Sequence, residues 1–219
     1  MELVRNLIEL SAGLSCLNCG RAGVVWCERC LRSAVDVNVR NTPGGVVVTA
    51  GSRYAGAVRD AIVTHKEHGQ LTLGKPLARL LVAATGTRAT SVEAVLTPVP
   101  STRASIRSRG HDHSRRLART AASIAGVPTA NPLRWRAAVA DQSGLSVGQR
   151  KINVENQMVA RRPSRSASVA WVVDDIVTSG ATIDEAVRAL TSAGWVVAGA
   201  SVIASVESRM ALAATLRLR

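Results

Sequence analysis

Two stretches of this chain hold residues whose types and spacing can do chemistry. The first is Val172-Val173-Asp174-Asp175-Ile176-Val177-Thr178-Ser179-Gly180-Ala181-Thr182. Thr178, Ser179, Gly180 and Ala181 are small enough for a phosphate to reach the main chain. There, amides and hydroxyls can donate to its oxygens, and a following helix adds positive potential. Asp174 and Asp175 stand just before this anion site. Carboxylates repel a phosphate, so their partners should be hydrogen-bond donors or a cation, and sugar hydroxyls with Mg²⁺ meet that demand. The plainer alternative is that Thr and Ser only cap a helix while the acids sit in a turn.

The second stretch holds every cysteine of the chain. Cys16-Leu17-Asn18-Cys19 and Cys27-Glu28-Arg29-Cys30 are two C-x-x-C pairs with seven residues between them. Four thiolates so spaced can wrap one tetrahedral Zn²⁺, and four ligands fill its shell, which makes the metal structural rather than catalytic. Gly20 and Gly23 supply the turns. A redox pair is the alternative, although redox motifs seldom come doubled this closely. No histidine lies among the cysteines, and His111 and His113 read as polar loop residues.

These groups must be positioned by regular elements. After the turn-rich Asn41-Thr42-Pro43-Gly44-Gly45, apolar strands alternate with helical patterns, which points to an α/β domain. Strands are expected over 46–49, 92–99, 169–173 and 195–204, and helices over 53–65, 75–84 and 114–124. The segment 169–204 reads as a βαβ unit. Thr182 and Glu185 form a T-x-x-E capping box, Ile183, Ala186, Val187 and Leu190 share one apolar face, and Gly194 is a stop. Its loop, 174–181, then falls at the carboxyl end of a strand, where open parallel sheets bind ligands. The division expected is 1–40 for a short helix and the cysteine ribbon, and 41–219 for the α/β domain.

The string from Val172 to Thr182 closely resembles the phosphoribosyl-pyrophosphate (PRPP) signature of type I phosphoribosyltransferases: apolar strand, acidic pair, two residues, then T-[ST]-G-x-T. Further segments resemble the ComF family. Pro98-Val99-Pro100 followed by Arg103, Arg107, Arg109 and Gly110 is similar to its "PVP…R…RG" stretch. Tyr54-Ala55-Gly56 with His65-Lys66 and Gly69 is similar to "Y-x-G…LKY-x-G". Gln142-Ser143-Gly144-Leu145-Ser146 with Arg150, Lys151 and Asn153 is similar to "Q-x-G-L-S-x-x-x-R-x-x-N". Where the family continues as GFNQ, this chain has Gly110-His111-Asp112-His113.

The resemblance implies a type I phosphoribosyltransferase-like fold, a mostly parallel sheet with helices on both faces, plus a small N-terminal zinc ribbon. Carried over by position, Asp174 and Asp175 hold the ribose hydroxyls with Mg²⁺ nearby and are the catalytic pair. Thr178, Ser179, Gly180, Ala181 and Thr182 hold the 5′-phosphate. Ser101, Thr102 and Arg103 form the pyrophosphate loop, and Gln142, Arg150 and Lys151 belong to a flexible loop that closes over PRPP. Cys16, Cys19, Cys27 and Cys30 hold zinc. The implied activity is transfer of phosphoribosyl from PRPP to an unknown acceptor with release of pyrophosphate. Handling of single-stranded DNA in natural transformation, or PRPP sensing without turnover, are the alternatives.

Composition agrees with an anionic partner. Lys plus Arg is 28 against 15 for Asp plus Glu, a formal charge of +13, and all but Lys66, Lys75 and Lys151 of the basic residues are Arg. Arg offers a flat fork of donors suited to phosphate and carboxylate. With no Phe, one Tyr and four Trp, the chain lacks the aromatic surface that stacking on single strands uses, and its core must be aliphatic. Six Arg and one Asp between 103 and 119 suit a pyrophosphate leaving group, although Arg115, Arg116 and Arg119 read better as a solvated helix face. The uncharged run 189–206 is broken by Gly194 and reads as a helix end plus a buried strand, not a membrane span. No secretion signal is visible, and a cytoplasmic location is expected.

Overall fold

The structure is a computed structural model, and it describes residues 14–136, 155–164 and 168–206. The elements run in the order α1 (Glu28–Ala34), β1 (Asn38–Asn41), β2 (Val47–Arg53), α2 (Gly56–Glu67), a 3₁₀ turn (Leu71–Leu73), α3 (Gly74–Thr85), α4 (Arg88–Ser91), β3 (Val95–Pro98), α5 (Arg103–Arg109), α6 (His113–Ala125), β4 (Leu133–Trp135), β5 (Met158–Ala160), β6 (Val169–Val177), α7 (Ala181–Ser192) and β7 (Val196–Ser205). Five strands form one sheet in the order β1-β2-β7-β6-β3, parallel except for the β1–β2 pair. β4 and β5 form a separate antiparallel ribbon.

Alternation along β6 explains the layers. Ala170 and Val172 join one buried cluster with Ile183 and Leu190 of α7, whereas Trp171 and Val173 join another with Ile62 of α2, Leu77 and Leu81 of α3 and Leu117 of α6. A strand that is apolar on both faces belongs to a parallel sheet covered by helices on both sides. Each fully buried Leu or Ile contributes roughly 2 kcal/mol by removal from water. Two glycines permit close approaches, Gly51 between the sheet and α3 and Gly199 beneath its cross-strand neighbour Trp171. A Cβ on Gly51 would lie 2.0 Å from the Leu80 carbonyl oxygen, and one on Gly199 would lie 2.7 Å from the Trp171 ring. The Trp171 indole N–H donates to Ser201 Oγ at 2.9 Å, so its polar edge is satisfied inside the core.

Several local expectations change. The capping box does not form: α7 begins at Ala181 with Gly180 as its N-cap, in the left-handed region at φ 85°. Glu185 instead accepts from the Met158 amide at 2.7 Å and pairs with Arg188 at 2.7 Å, while Arg188 donates to the Met158 carbonyl at 2.8 Å, so these two side chains tie β5 onto α7. β6 does not stop at Val173 but continues to Val177, which places both acids on the strand rather than in a loop. The helix expected over 53–65 starts at Gly56, because β2 runs on to Arg53. β1, β4 and β5 were not expected, being too short to show a pattern of their own. The uncharged run 189–206 is the end of α7 followed by β7, and no helix among the described residues is long and apolar enough to cross a membrane.

The cysteine segment shares the core of the domain. Cys16, Trp26, Cys27, Cys30 and Leu31 belong to the same buried cluster as α2, α3 and α6. Glu28 and Arg79 add a two-pronged ion pair, 2.5 and 2.6 Å, between α1 and α3.

Candidate functional site

The carboxyl ends of β3 and β6 gather the ionisable groups. Asp175 is 8 % exposed, and its Oδ2 lies 2.5 Å from Lys66 Nζ, from the last turn of α2. His113, buried at the first position of α6, places Nε2 3.6 Å from the same oxygen. Burial pushes the Asp175 carboxyl up, but Lys66 and His113 outweigh it and hold the group well below the usual carboxylate range. Asp174 goes the other way. Burial and the neighbouring Asp175 charge push it up to about 8, even though it accepts from the Asp175 amide at 2.9 Å. The two acids are therefore unlike at neutral pH: one is an ion-paired carboxylate and the other retains a proton. For Lys66, burial lowers the pKa, yet the Asp175 charge raises it overall, so the lysine is a fixed cation.

The segment after β3 meets this pair through His113. Ser101 Oγ donates to Asp112 Oδ1 at 3.0 Å and lies 3.4 Å from His113 Nδ1 and 3.3 Å from Ser114 Oγ. A continuous polar path thus runs Asp112–Ser101–His113–Asp175–Lys66. Thr102 caps α5 by accepting from the Ser105 amide at 3.1 Å, and Arg103 is exposed in the first turn. Asp112 caps α6 by accepting from the Arg115 amide at 3.1 Å.

Just beyond the acids, Thr178 is exposed, Ser179 and Thr182 are half-buried, and Gly180 and Ala181 are buried. The Ala181 amide is already engaged, donating to Ser179 Oγ at 3.4 Å. The amides of Ser179, Gly180 and Thr182 make no hydrogen bond among the described residues. Those donors, at the N-terminus of a twelve-residue helix, form a cradle suited to an anion. The helix head is held from the side by the β1–β2 turn. Thr42 Oγ1 donates to Asp184 Oδ1, the Gly44 amide donates to Asp184 Oδ2 at 2.9 Å, and a Cβ on Gly180 would lie 2.6 Å from Thr42 Cγ2.

The four cysteine sulfurs lie within 4.8 Å of one another, a set that can hold a metal ion such as zinc. The Cys27 amide donates to Cys16 Sγ at 3.4 Å. Burial raises the Cys16 thiol, but this amide and its neighbours win and lower it to about 6, so one ligand is already thiolate at neutral pH. Cys30 is pushed up to about 11: the Asn18 contact pulls it down, but the other three sulfurs and burial oppose it. The Cys27 thiol is lowered as well, chiefly by its backbone hydrogen bond with Cys30, and negative charge gathered on neighbouring sulfurs is the condition a divalent cation relieves.

The structure therefore brings together Asp174, Asp175, Ser101 and the head of α7, and it groups Cys16, Cys19, Cys27 and Cys30. Thr102 and Arg103 follow Ser101 at the start of α5. Gln142, Arg150 and Lys151 lie outside the described residues. Arg115, Arg116 and Arg119 are exposed on α6. His113 is not a loop residue: it opens α6, buried against the acid pair. Asp112 was the available signal, because an Asp directly before a helical pattern is an N-cap and moves the helix start to 113. Comparison with protein-family models and with curated proteins finds no match to this chain.

Proposed function

We propose that this chain binds PRPP with Mg²⁺ and transfers its phosphoribosyl group to an acceptor, as a phosphoribosyltransferase-like protein of the ComF type with a structural zinc ribbon. The supporting observation is the strand–helix junction at 174–182. It places two unlike acids and a cradle of amides without partners among the described residues end to end at the carboxyl edge of a parallel sheet.

The residues divide the substrate by chemistry. The helix head takes the 5′-phosphate, and Asp174 and Asp175 accept from the ribose hydroxyls. Ser101, Thr102 and Arg103 face the pyrophosphate. Two adjacent carboxylates are hard oxygen donors that fit Mg²⁺, which supplies neutralisation of pyrophosphate charge when bound. In the reaction the bond between C1′ and the pyrophosphate oxygen breaks, and its electron pair leaves with pyrophosphate. The acceptor lone pair forms the new bond to C1′, and the acceptor's proton passes to solvent. Lys66 keeps Asp175 ionised and oriented for that developing positive charge on the sugar.

Calorimetric titration with PRPP and Mg²⁺, followed by pyrophosphate detection across an acceptor panel, tests the proposal. Wild type is expected to bind, and Asp174→Ala combined with Asp175→Ala to abolish binding. Equal behaviour of the two proteins would overturn it. Binding without pyrophosphate release would make the protein a sensor of PRPP.

A further inference from the structure

Beside Ser101, and outside the acid pair and the helix cradle, lies a cleft of about 740 Å³ between the start of α5, the start of α6 and the β4–β5 ribbon. That volume is within the range of small-molecule sites and exceeds what a pyrophosphate alone fills. Its charge is one-sided. Among the described residues, Arg103, Arg115, Arg134 and Arg136 line it, against the single acid Asp112. Asp112 is already engaged: it pairs with Arg115 at 3.2 Å and accepts from Ser101. The side chains of Arg103, Arg134 and Arg136 make no hydrogen bond or ion pair among the described residues. Guanidinium groups converging on one concave surface repel each other, and an anion that accepts bidentate hydrogen bonds relieves this.

The cleft also has a flat, apolar side. Trp135 lines it, half-buried, and its indole N–H donates to the Pro100 carbonyl at 2.8 Å, so the ring is fixed in place before any ligand arrives. Ile106, Leu133 and Val159 also line the cleft. A ring held rigid beside several guanidinium groups suits a ligand that is planar at one end and dianionic at the other. We infer that this cleft binds a nucleotide-class ligand, a heteroaromatic ring bearing a phosphate, with the ring on the Trp135 side and the phosphate among Arg103, Arg134 and Arg136. The site is distinct from the 178–182 cradle, and it shares Ser101 and Arg103 with the segment that faces the pyrophosphate in the proposed function.

The test is calorimetry on the full chain with AMP, GMP, CMP and UMP, with the matching nucleosides and inorganic phosphate as controls, and with tryptophan fluorescence followed in parallel. At least one monophosphate is expected to bind ten times more tightly than its nucleoside or inorganic phosphate. Arg134→Ala with Arg136→Ala should weaken it at least tenfold while the melting temperature of the free protein stays unchanged. Trp135→Phe should remove the fluorescence change and keep the binding. Monophosphates binding no better than inorganic phosphate would overturn the inference, as would full affinity in the double Arg variant. Binding only of oligonucleotides, growing with their length, would also overturn it and make the cleft part of a nucleic-acid surface.

Discussion

Lys66 Nζ and Asp175 Oδ2 stand 2.5 Å apart, the lysine from the end of α2 and the acid from the end of β6. Neither group is free to swing into solvent, since their side chains are 24 % and 11 % exposed. The pair fixes one carboxylate as charged and thereby leaves its neighbour Asp174 as the one that gives up a proton when a cation or diol arrives.

Removing the lysine leaves a buried carboxylate with only His113 beside it. Loss of one partner of a buried pair costs about 3 kcal/mol. Lys66→Met should therefore lower the melting temperature by roughly 6–12 °C for a domain of this size. Lys66→Arg should recover part of the loss. Thermal denaturation followed by circular dichroism measures both, and an unchanged midpoint in Lys66→Met would show the pair to be without structural weight.

The raised pKa of Asp174 has a definite sign in the pH dependence of stability. Its value is about 8 in the fold and about 4 in an unfolded chain. Between those values the folded protein holds a proton that the unfolded chain has lost, so this group's contribution falls as pH rises through the window. Asp175, held low, contributes in the opposite sense: its stabilisation is present above the ordinary carboxylate range and fades as the solution is acidified. Denaturant midpoints of wild type and Asp174→Asn, compared from pH 4 to pH 8, should converge at the acidic end and separate toward the alkaline end, with the variant the more stable there. Parallel curves would refute the assignment of the proton to Asp174.

Gly180 has two reasons to remain glycine. Its φ of 85° disfavours any side chain, and a Cβ would meet Thr42. Left-handed backbone costs a non-glycine residue roughly 1–2 kcal/mol, before the clash is added. Gly180→Ala should lower stability by at least that amount and weaken PRPP binding, because the amides on either side of it move. Gly126→Ala is a suitable control. It is also left-handed, at φ 69°, but has open space around it and lies away from the site. It should lose stability and keep PRPP affinity. Equal PRPP affinity in both variants would separate the loop from phosphate binding.

Metal content gives an independent check on the N-terminal cluster. The protein purified without chelator should carry one zinc per chain by elemental analysis. A strong chelator should release it and lower the melting temperature, since the ligands belong to the same buried cluster as α2 and α3. Cys16→Ser should mimic the chelator. Four cysteines recovered as two disulfides, with no metal, would favour the redox alternative.

What the sequence made legible was local. The βαβ unit over 169–204 was readable because its apolar strands are continuous and the face of α7 has a clean helical period. The cysteine set was readable from spacing alone. The capping box misled, because Glu185 found stronger partners in Arg188 and the Met158 amide than in the helix end, and Gly180 could take up a left-handed cap that Thr182 could not. The Lys66–Asp175 and Ser101–His113 contacts join residues from separate elements, and only the packing of α2 and α6 against β6 creates them. The Arg-lined cleft was hidden for the same reason: Arg134 sits on a three-residue strand with no pattern of its own and Arg136 directly after it, while Arg103 comes from α5.

Thr42, Gly44 and Asp184 carry one more consequence. The Gly44 amide is spent on the Asp184 carboxylate and the Val46 amide on Thr42 Oγ1, both at a turn that is otherwise open to solvent. The Gly44 proton can exchange with deuterium only when the turn lifts off the first turn of α7, whereas the Val46 bond lies within the turn itself. Deuterium uptake at 44, set against uptake at 46, is thus a clock for the rigidity of the helix head, read from the turn that packs against it.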